Sequence, residues 1–290
     1  KNKDHYSLSV RLTDGTIHTE VNTTRQITEK VKNIPLVRGV VAFVESLVLG
    51  LSTLMRSASF FEDEEEAKKK KNLTEAQIKR RERAEMGGTL VLSFVLAIGI
   101  FLLLPFYLTR YLGNYVSSEI FLAFVEGVLR IVIFVIYLWA ISKMEDIRRL
   151  YAYHGAEHKC INCVEHGMAL TVENVRKSSR FHPRCGTSFL FVVMLLSILF
   201  FMFVQTDSRL LQILYRLVLV PVIAAISYEF IRFAGRHDGI LMRVLSAPGL
   251  WLQRLTTKEP EDEMIEVGIA SVEAVFDWED FLKELEESAR

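Results

Sequence analysis

Four nearly uncharged runs, Gly88–Leu108, Ile120–Ser142, Ser188–Thr206 and Leu210–Phe230, crowd the middle of the chain and leave few folds open to it. Each is close to the roughly 20 residues that cross a bilayer as a helix. A single buried core helix could account for one such run. Four within one stretch of chain leave too little amphipathic sequence to cover them in water, so lipid is the expected solvent. The fold class expected is an all-α polytopic membrane protein with four transmembrane helices.

The basic residues set the expected orientation. Lys68 to Lys71, Lys79, Arg80, Arg81 and Arg83 precede the first run, and eight more lysines and arginines lie between Lys143 and Arg184. The turns at 109–119 and 207–209 carry one arginine each. Both termini and the 143–187 loop are therefore expected in the cytoplasm. Formal net charge is zero over 290 residues. That balance gives no basic field for nucleic acid. The partners expected are the lipid bilayer and, as an alternative role, membrane-protein export or insertion machinery.

A fifth apolar run, PLVRGVVAFVESLVLGLSTLM at 35–55, holds Arg38 and Glu45. If it spanned, the basic N-terminal segment would lie outside, so a re-entrant or interfacial helix is expected over 35–56. Upstream, alternation over Tyr6–Thr19 around Asp14-Gly15 predicts a small β-hairpin, within an N-terminal region 1–34. The block EDEEEAKKKK at 62–71 reads as a solvated loop, and Thr74 with Gln77 has capping-box spacing, with Leu73 and Ile78 as a staple. The further divisions expected are a charged loop and helix at 57–87, spans at 88–142, a metal-site loop at 143–187 and spans at 188–230. An acidic cytoplasmic tail at 231–290 follows, with short helices at 264–275 and 278–288. The numbering opens on Lys1 rather than Met, so the natural start is expected upstream.

Charge inside the spans is confined to a few side chains. Glu126 and Arg130 are one helical turn apart and are expected to neutralise each other, with Arg216 at similar depth in the last span.

Chemistry concentrates at 153–187. Cys160, Cys163 and Cys185 are odd in number, which argues against a disulfide framework, and histidines surround them. His154 and His158, four apart on a helix, share a face and can bind one ion; Glu157 makes the string H-x-x-E-H, in which the acid is a candidate general base. Before the third run, Pro183 holds His182 extended and Gly186 suits a tight turn around the Cys185 thiolate. His154, His158, His182 and Cys185 make a tetrahedral set, with Cys160, Cys163, His166 and Glu229 as rivals. Glu229 has a competing role as ion-pair partner of Arg232 or Arg236. Asp238 and Arg184 are candidates for orienting ligands. Imidazole and thiolate together favour zinc. An open site predicts a metal-dependent hydrolase at the membrane surface, with Arg180 and Arg184 holding an anionic group. A closed site predicts a structural zinc in a non-enzymatic accessory factor.

The strings RGVVAFVESLVLG (38–50), YHGAEHKCINCVEHG (153–167), RFHPRCGTSFL (180–190) and APGLWLQRLTTKEPEDEMIEVGIASVEAV (247–275) resemble the YqhQ-like family of bacterial membrane proteins. The resemblance implies a multi-pass protein of the bacterial cytoplasmic membrane with a metal-binding loop. Members are catalogued as a domain of unknown function and as predicted metal-dependent enzymes. They usually open on a glycine-rich segment, which is expected either to lie upstream of Lys1 or to be missing.

Overall fold

A computed structural model describes residues 2, 4–24, 27–61, 74–204, 206, 208–234 and 240–288. The block at 62–71, Leu73, Arg236 and Asp238 lie outside them. Two strands, β1 (His5–Arg11) and β2 (Ile17–Thr23), pair antiparallel with Val10 opposite His18. Their turn forms where Asp14 Oδ1 accepts from Thr16 N at 2.9 Å and Gly15 takes φ +86°, the left-handed region that glycine enters without a Cβ penalty.

Helices make up most of the rest. Four short or amphipathic ones precede and interleave the apolar set, beginning with α1 (Ile27–Lys30) and α2 (Val37–Ala58). The expected capping box starts α3 (Glu75–Ile98), with Thr74 N donating to Gln77 Oε1 at 2.9 Å. A five-residue π-helical turn, Gly99–Leu103, carries α3 straight into α4 (Leu104–Leu112). There follow α5 (Glu119–Ile141), α6 (Glu145–Glu165), α7 (Val172–Lys177), α8 (Gly186–Met202) and α9 (Arg209–Ala234). The chain closes with α10 (Ile240–Thr256), α11 (Asp262–Glu273) and α12 (Trp278–Ser288), the last two close to the helices expected at 264–275 and 278–288.

Among the described residues, four helical stretches are long and apolar enough to cross a membrane: Val37–Phe61, Gly87–Leu112, Glu119–Ile141 and Leu210–Phe233. This set differs from the expected one in two places. The run expected as a re-entrant or interfacial helix over 35–56 forms an unbroken 22-residue helix, Val37–Ala58, that is long and apolar enough to be counted with the spans. The third expected span is a 17-residue helix that stops at Met202, about 25 Å long at 1.5 Å per residue.

The charges inside the bundle form a triad rather than a pair. Glu126 Oε1 accepts from Arg130 at 2.8 Å and also from Arg216 on α9. The widened π turn presents the Phe101 carbonyl, which accepts Arg130 Nε at 2.9 Å, and Ser197 on α8 takes Nη1 at 3.1 Å. The Arg216 guanidinium stacks between Phe106 and Phe201, 5.0 and 5.2 Å from the ring centres. Three apolar helices and the π turn are thus pinned at one level by polar contacts that hydrocarbon cannot replace.

At one end of the bundle a second layer forms. β1 lies on α11, where Ser7 Oγ bonds Ser271 and Arg11 pairs with Glu266 at 2.6 Å. In turn, α11 packs on α6 through a core of Cys160, Cys163, Val164, Leu170, Val175 and Ile265. Within the C-terminal region, α10 packs across α8, and the segment after it runs against α6.

Candidate metal centre

The break at Ser142–Met144 separates α5 from α6, so the His154–His158 face turns toward the start of α8. His154 Nε2 lies 3.2 Å from Cys185 Sγ, and one ligand atom each from His154, His158 and Cys185 fall within 4.8 Å of one another. Both imidazoles are oriented from behind. His154 Nδ1 donates to the Thr256 carbonyl at 2.9 Å and His158 Nδ1 donates to the Arg180 carbonyl at 2.8 Å. Each ring therefore turns Nε2 toward Cys185, with Nδ1 held from behind as in metal-binding histidines.

Burial alone would raise the Cys185 thiol. Hydrogen bonds from His154 and His158 outweigh it and bring the pKa down to about 5. Burial opposes charge on His154 as well, but the contact with Cys185 and the field of Glu157 leave its pKa raised. Two imidazoles and a thiolate converging in this way fit a divalent ion with affinity for nitrogen and sulfur.

The other sequence candidates lie elsewhere. His182 is buried but turned away: its Nδ1 accepts from Arg184 N at 3.3 Å and its Nε2 donates to Glu165 Oε2 at 3.3 Å. Its ring centre is 5.8 Å from that of His158, so it borders the centre without joining the three ligand atoms. Cys160 and Cys163 point to the opposite side of α6, fully buried in the apolar core against α11; burial pushes Cys160 up to about 12, unlike a ligand thiolate. His166 caps α6 through Nδ1 on the Asn162 carbonyl at 2.7 Å. Glu229 is bound by Arg38 of α2, with Nε on Oε1 at 2.6 Å, rather than by Arg232. Arg184 pairs with Glu165, on the far side of His182 from the ligands. Glu157 is exposed on α6 beside His154. Gly186 begins α8 with ordinary helical backbone, and a Cβ there would meet nothing within 4 Å, so no turn demands glycine.

What holds the ligands in place is mostly side chains with no motif of their own. Lys159, buried, donates to the carbonyls of Arg176 at 3.0 Å and Ser178 at 2.8 Å; Asn162 grips those of Ser179 and Phe181 at 2.7 and 3.0 Å. Together they fold the 176–181 loop onto α6. Gln253 of α10, fully buried, clamps His182 by accepting from its backbone N–H at 2.8 Å and donating to its carbonyl at 2.7 Å. Gly155 lets Lys258 approach so closely that a Cβ would sit 2.1 Å from its carbonyl oxygen. The only sequence signal for Gln253 and Lys258 was their place in the 247–275 string.

The family model described as "Protein of unknown function (DUF1385)" matches residues 34–278, which takes in every element of this centre. The chain belongs to the DUF1385 family. Within it, the chain is 35% identical over 281 residues to "Uncharacterized protein YqhQ" of Bacillus subtilis (strain 168), covering 93% of this chain and 86% of that protein. No solved structure matches the chain significantly.

Proposed function

We propose that this DUF1385 chain is a metal-dependent hydrolase of the bacterial cytoplasmic membrane, with zinc held by His154, His158 and Cys185 and a fourth position open. The observation that carries the reading is the convergence of three ligand atoms within 4.8 Å while His182 is occupied by Glu165 and Arg184. Sites with three protein ligands and room for water are the catalytic kind. A bound divalent ion would polarise a carbonyl or phosphoryl oxygen and acidify a water molecule. Glu157, exposed beside His154, would take the proton. The closed, structural alternative, an accessory factor for export or insertion, requires His182 to give up at least one of these contacts and turn that nitrogen to the ion.

Metal content of purified variants tests the ligand set. Alanine at His154, His158 or Cys185 is expected to remove bound zinc, whereas His182→Ala, Cys160→Ala and Glu157→Ala keep it. Zinc lost with His182→Ala would favour the closed site. Zinc lost with Cys160→Ala in a folded protein would sink the assignment.

The topology belongs to the same reading: four crossings, both termini cytoplasmic, and α2 along the membrane surface. Contacts support it by parity. The hairpin packs on α11 and α11 packs on α6, so all three share one side. Between α6 and α11 lie α8 and α9, which cross together or not at all. Between the hairpin and α6 lie α2, the α3–α4 rod and α5, so with the last two crossing, α2 does not. Both ends of α2 agree with this: Arg38 pairs with Glu229 near the end of α9, and Arg56 pairs with Glu20 of the hairpin. Its exposed side carries Val44, Leu47, Val48, Leu54 and Met55, as a helix lying in the interface requires. Cysteines placed at Thr16 and at Ser117 test the count. Impermeant thiol reagents added to intact cells are expected to label Ser117→Cys and spare Thr16→Cys; labelling of Thr16→Cys from outside would mean that α2 crosses.

A further inference from the structure

Beside the metal ligands, on the side where α5 meets α6, stand cations that no carboxylate balances. Lys143 ends the turn after α5, with its ammonium 5.4 Å from the centre of the Trp139 ring. Arg148 lies in the first turns of α6. Lys258 is held against the same helix by its backbone N–H, which donates to the Tyr151 carbonyl at 2.9 Å. Two residues earlier, Thr256 accepts from the ligand His154, so this patch and the metal centre share one piece of backbone. Behind them Arg180 donates to the Thr257 carbonyl at 3.0 Å.

Counter-charge is scarce here. Glu259 lies between Lys159 at 3.0 Å and Arg180 at 3.4 Å and is committed to both. Glu145 and Asp146 are exposed at the N-terminus of α6, where the helix dipole favours them. Among the described residues, Lys143, Arg148 and Lys258 form no ion pair. Lys258 is half-buried, and its pKa is lowered first by burial and then by Arg180, Lys143 and Arg148, which places all three within electrostatic reach of it. Exposed Trp139 and Met144 flank the patch, a signature of the level where a helix leaves hydrocarbon.

Lys143 and Arg148 are exposed and Lys258 is half-buried, and unpaired cations brought together in this way repel one another unless an anion joins them. A phosphate group suits the vacancy in charge better than a carboxylate: it carries up to two negative charges and three strong acceptor oxygens for ammonium and guanidinium donors. We propose that Lys143, Arg148 and Lys258 form a seat for a phosphate group, of an anionic phospholipid headgroup or of a soluble phosphate compound, and that this seat delivers substrate to the adjoining metal centre. The delivery half of the proposal rests on the hydrolase reading above; the seat itself does not.

The test uses full-length protein in detergent, with zinc counted in every sample. Native mass spectrometry after addition of phosphatidylglycerol or phosphatidylcholine measures lipid retention, and calorimetric titration with inorganic phosphate measures the soluble arm. Retention of one phosphatidylglycerol, not phosphatidylcholine, is expected, and Arg148→Gln with Lys258→Gln is expected to weaken it roughly tenfold or more. Lys177→Gln, which breaks only a surface pair with Glu173, serves as control and is expected to change nothing. Binding of inorganic phosphate alone, with the same sensitivity to the double variant, would support the seat and make its source soluble. Equal retention of both lipids, retention that ignores the double variant, or no binding in either arm would overturn it. Zinc absent while phosphatidylglycerol is still held would sink the hydrolase reading and leave the seat; zinc present with no phosphate bound would do the reverse.

Discussion

Glu126→Gln is expected to destabilise the bundle of apolar helices by about 3 kcal/mol or more, because it strands two buried guanidiniums at once. Glu126 Oε1 is the shared acceptor of Arg130 and Arg216, and all three side chains are buried between α5, α8 and α9. Burying one charge without a partner is costly, and here the remaining charges would also repel each other. Thermal unfolding in detergent should show a fall in midpoint of several degrees. Part of that loss should return when Arg216→Gln is added, since the second change removes one stranded cation. An unaltered midpoint would mean that the triad does not hold these helices together.

Gly155→Ala is expected to damage both stability and the metal centre. The added Cβ would stand 2.1 Å from the Lys258 carbonyl oxygen, a backbone atom that cannot swing aside as a side chain could. Overpacking of this kind costs about 1–3 kcal/mol, and more where the neighbour is fixed. The strand that must retreat also carries Thr256, whose carbonyl orients His154. Loss of such an orienting contact weakens metal affinity roughly 10–100-fold. Gly186→Ala provides the contrast: its Cβ would meet nothing within 4 Å, so neither melting nor metal affinity should change. Equal behaviour of the two variants in a zinc competition assay would contradict the close approach of 256–258 to α6.

Much of this architecture is legible because hydrocarbon tolerates so few residue types. Nearly uncharged runs mark the apolar part of α3 with α4, and α5, α8 and α9, directly, and Asp14-Gly15 and Thr74-x-x-Gln77 mark a turn and a helix start through local hydrogen bonds. The membrane behaviour of α2 is not legible in that way. Its composition passes the same test as a span, and the proposal that it lies along the surface rests on the pairing of Arg38 with Glu229 and of Arg56 with Glu20, both distant in sequence.

The centre divides similarly. His154 and His158 are adjacent on any helix, and Cys185 follows from its place beside His182 before an apolar run. The choice between Cys185 and the cysteines of α6 was available in the helical period: Cys160 and Cys163 are two and five residues past His158, which turns them away from its face. The exclusion of His182 was not available, since it depends on Glu165 and Arg184 meeting it from another direction. Gln253 and Lys159 carry no local sign at all. A buried glutamine and a buried lysine serve structurally because buried loop carbonyls need donors.

The account turns on which atoms bind the ion, and X-ray absorption at the zinc edge of the purified, zinc-loaded chain reads those atoms directly. It predicts one sulfur near about 2.3 Å and nitrogen or oxygen neighbours near about 2.0 Å, two of them imidazole, with the sulfur signal absent in Cys185→Ala. Two sulfurs, a third imidazole that disappears in His182→Ala, or a chain that takes up no zinc would contradict the open His154–His158–Cys185 centre.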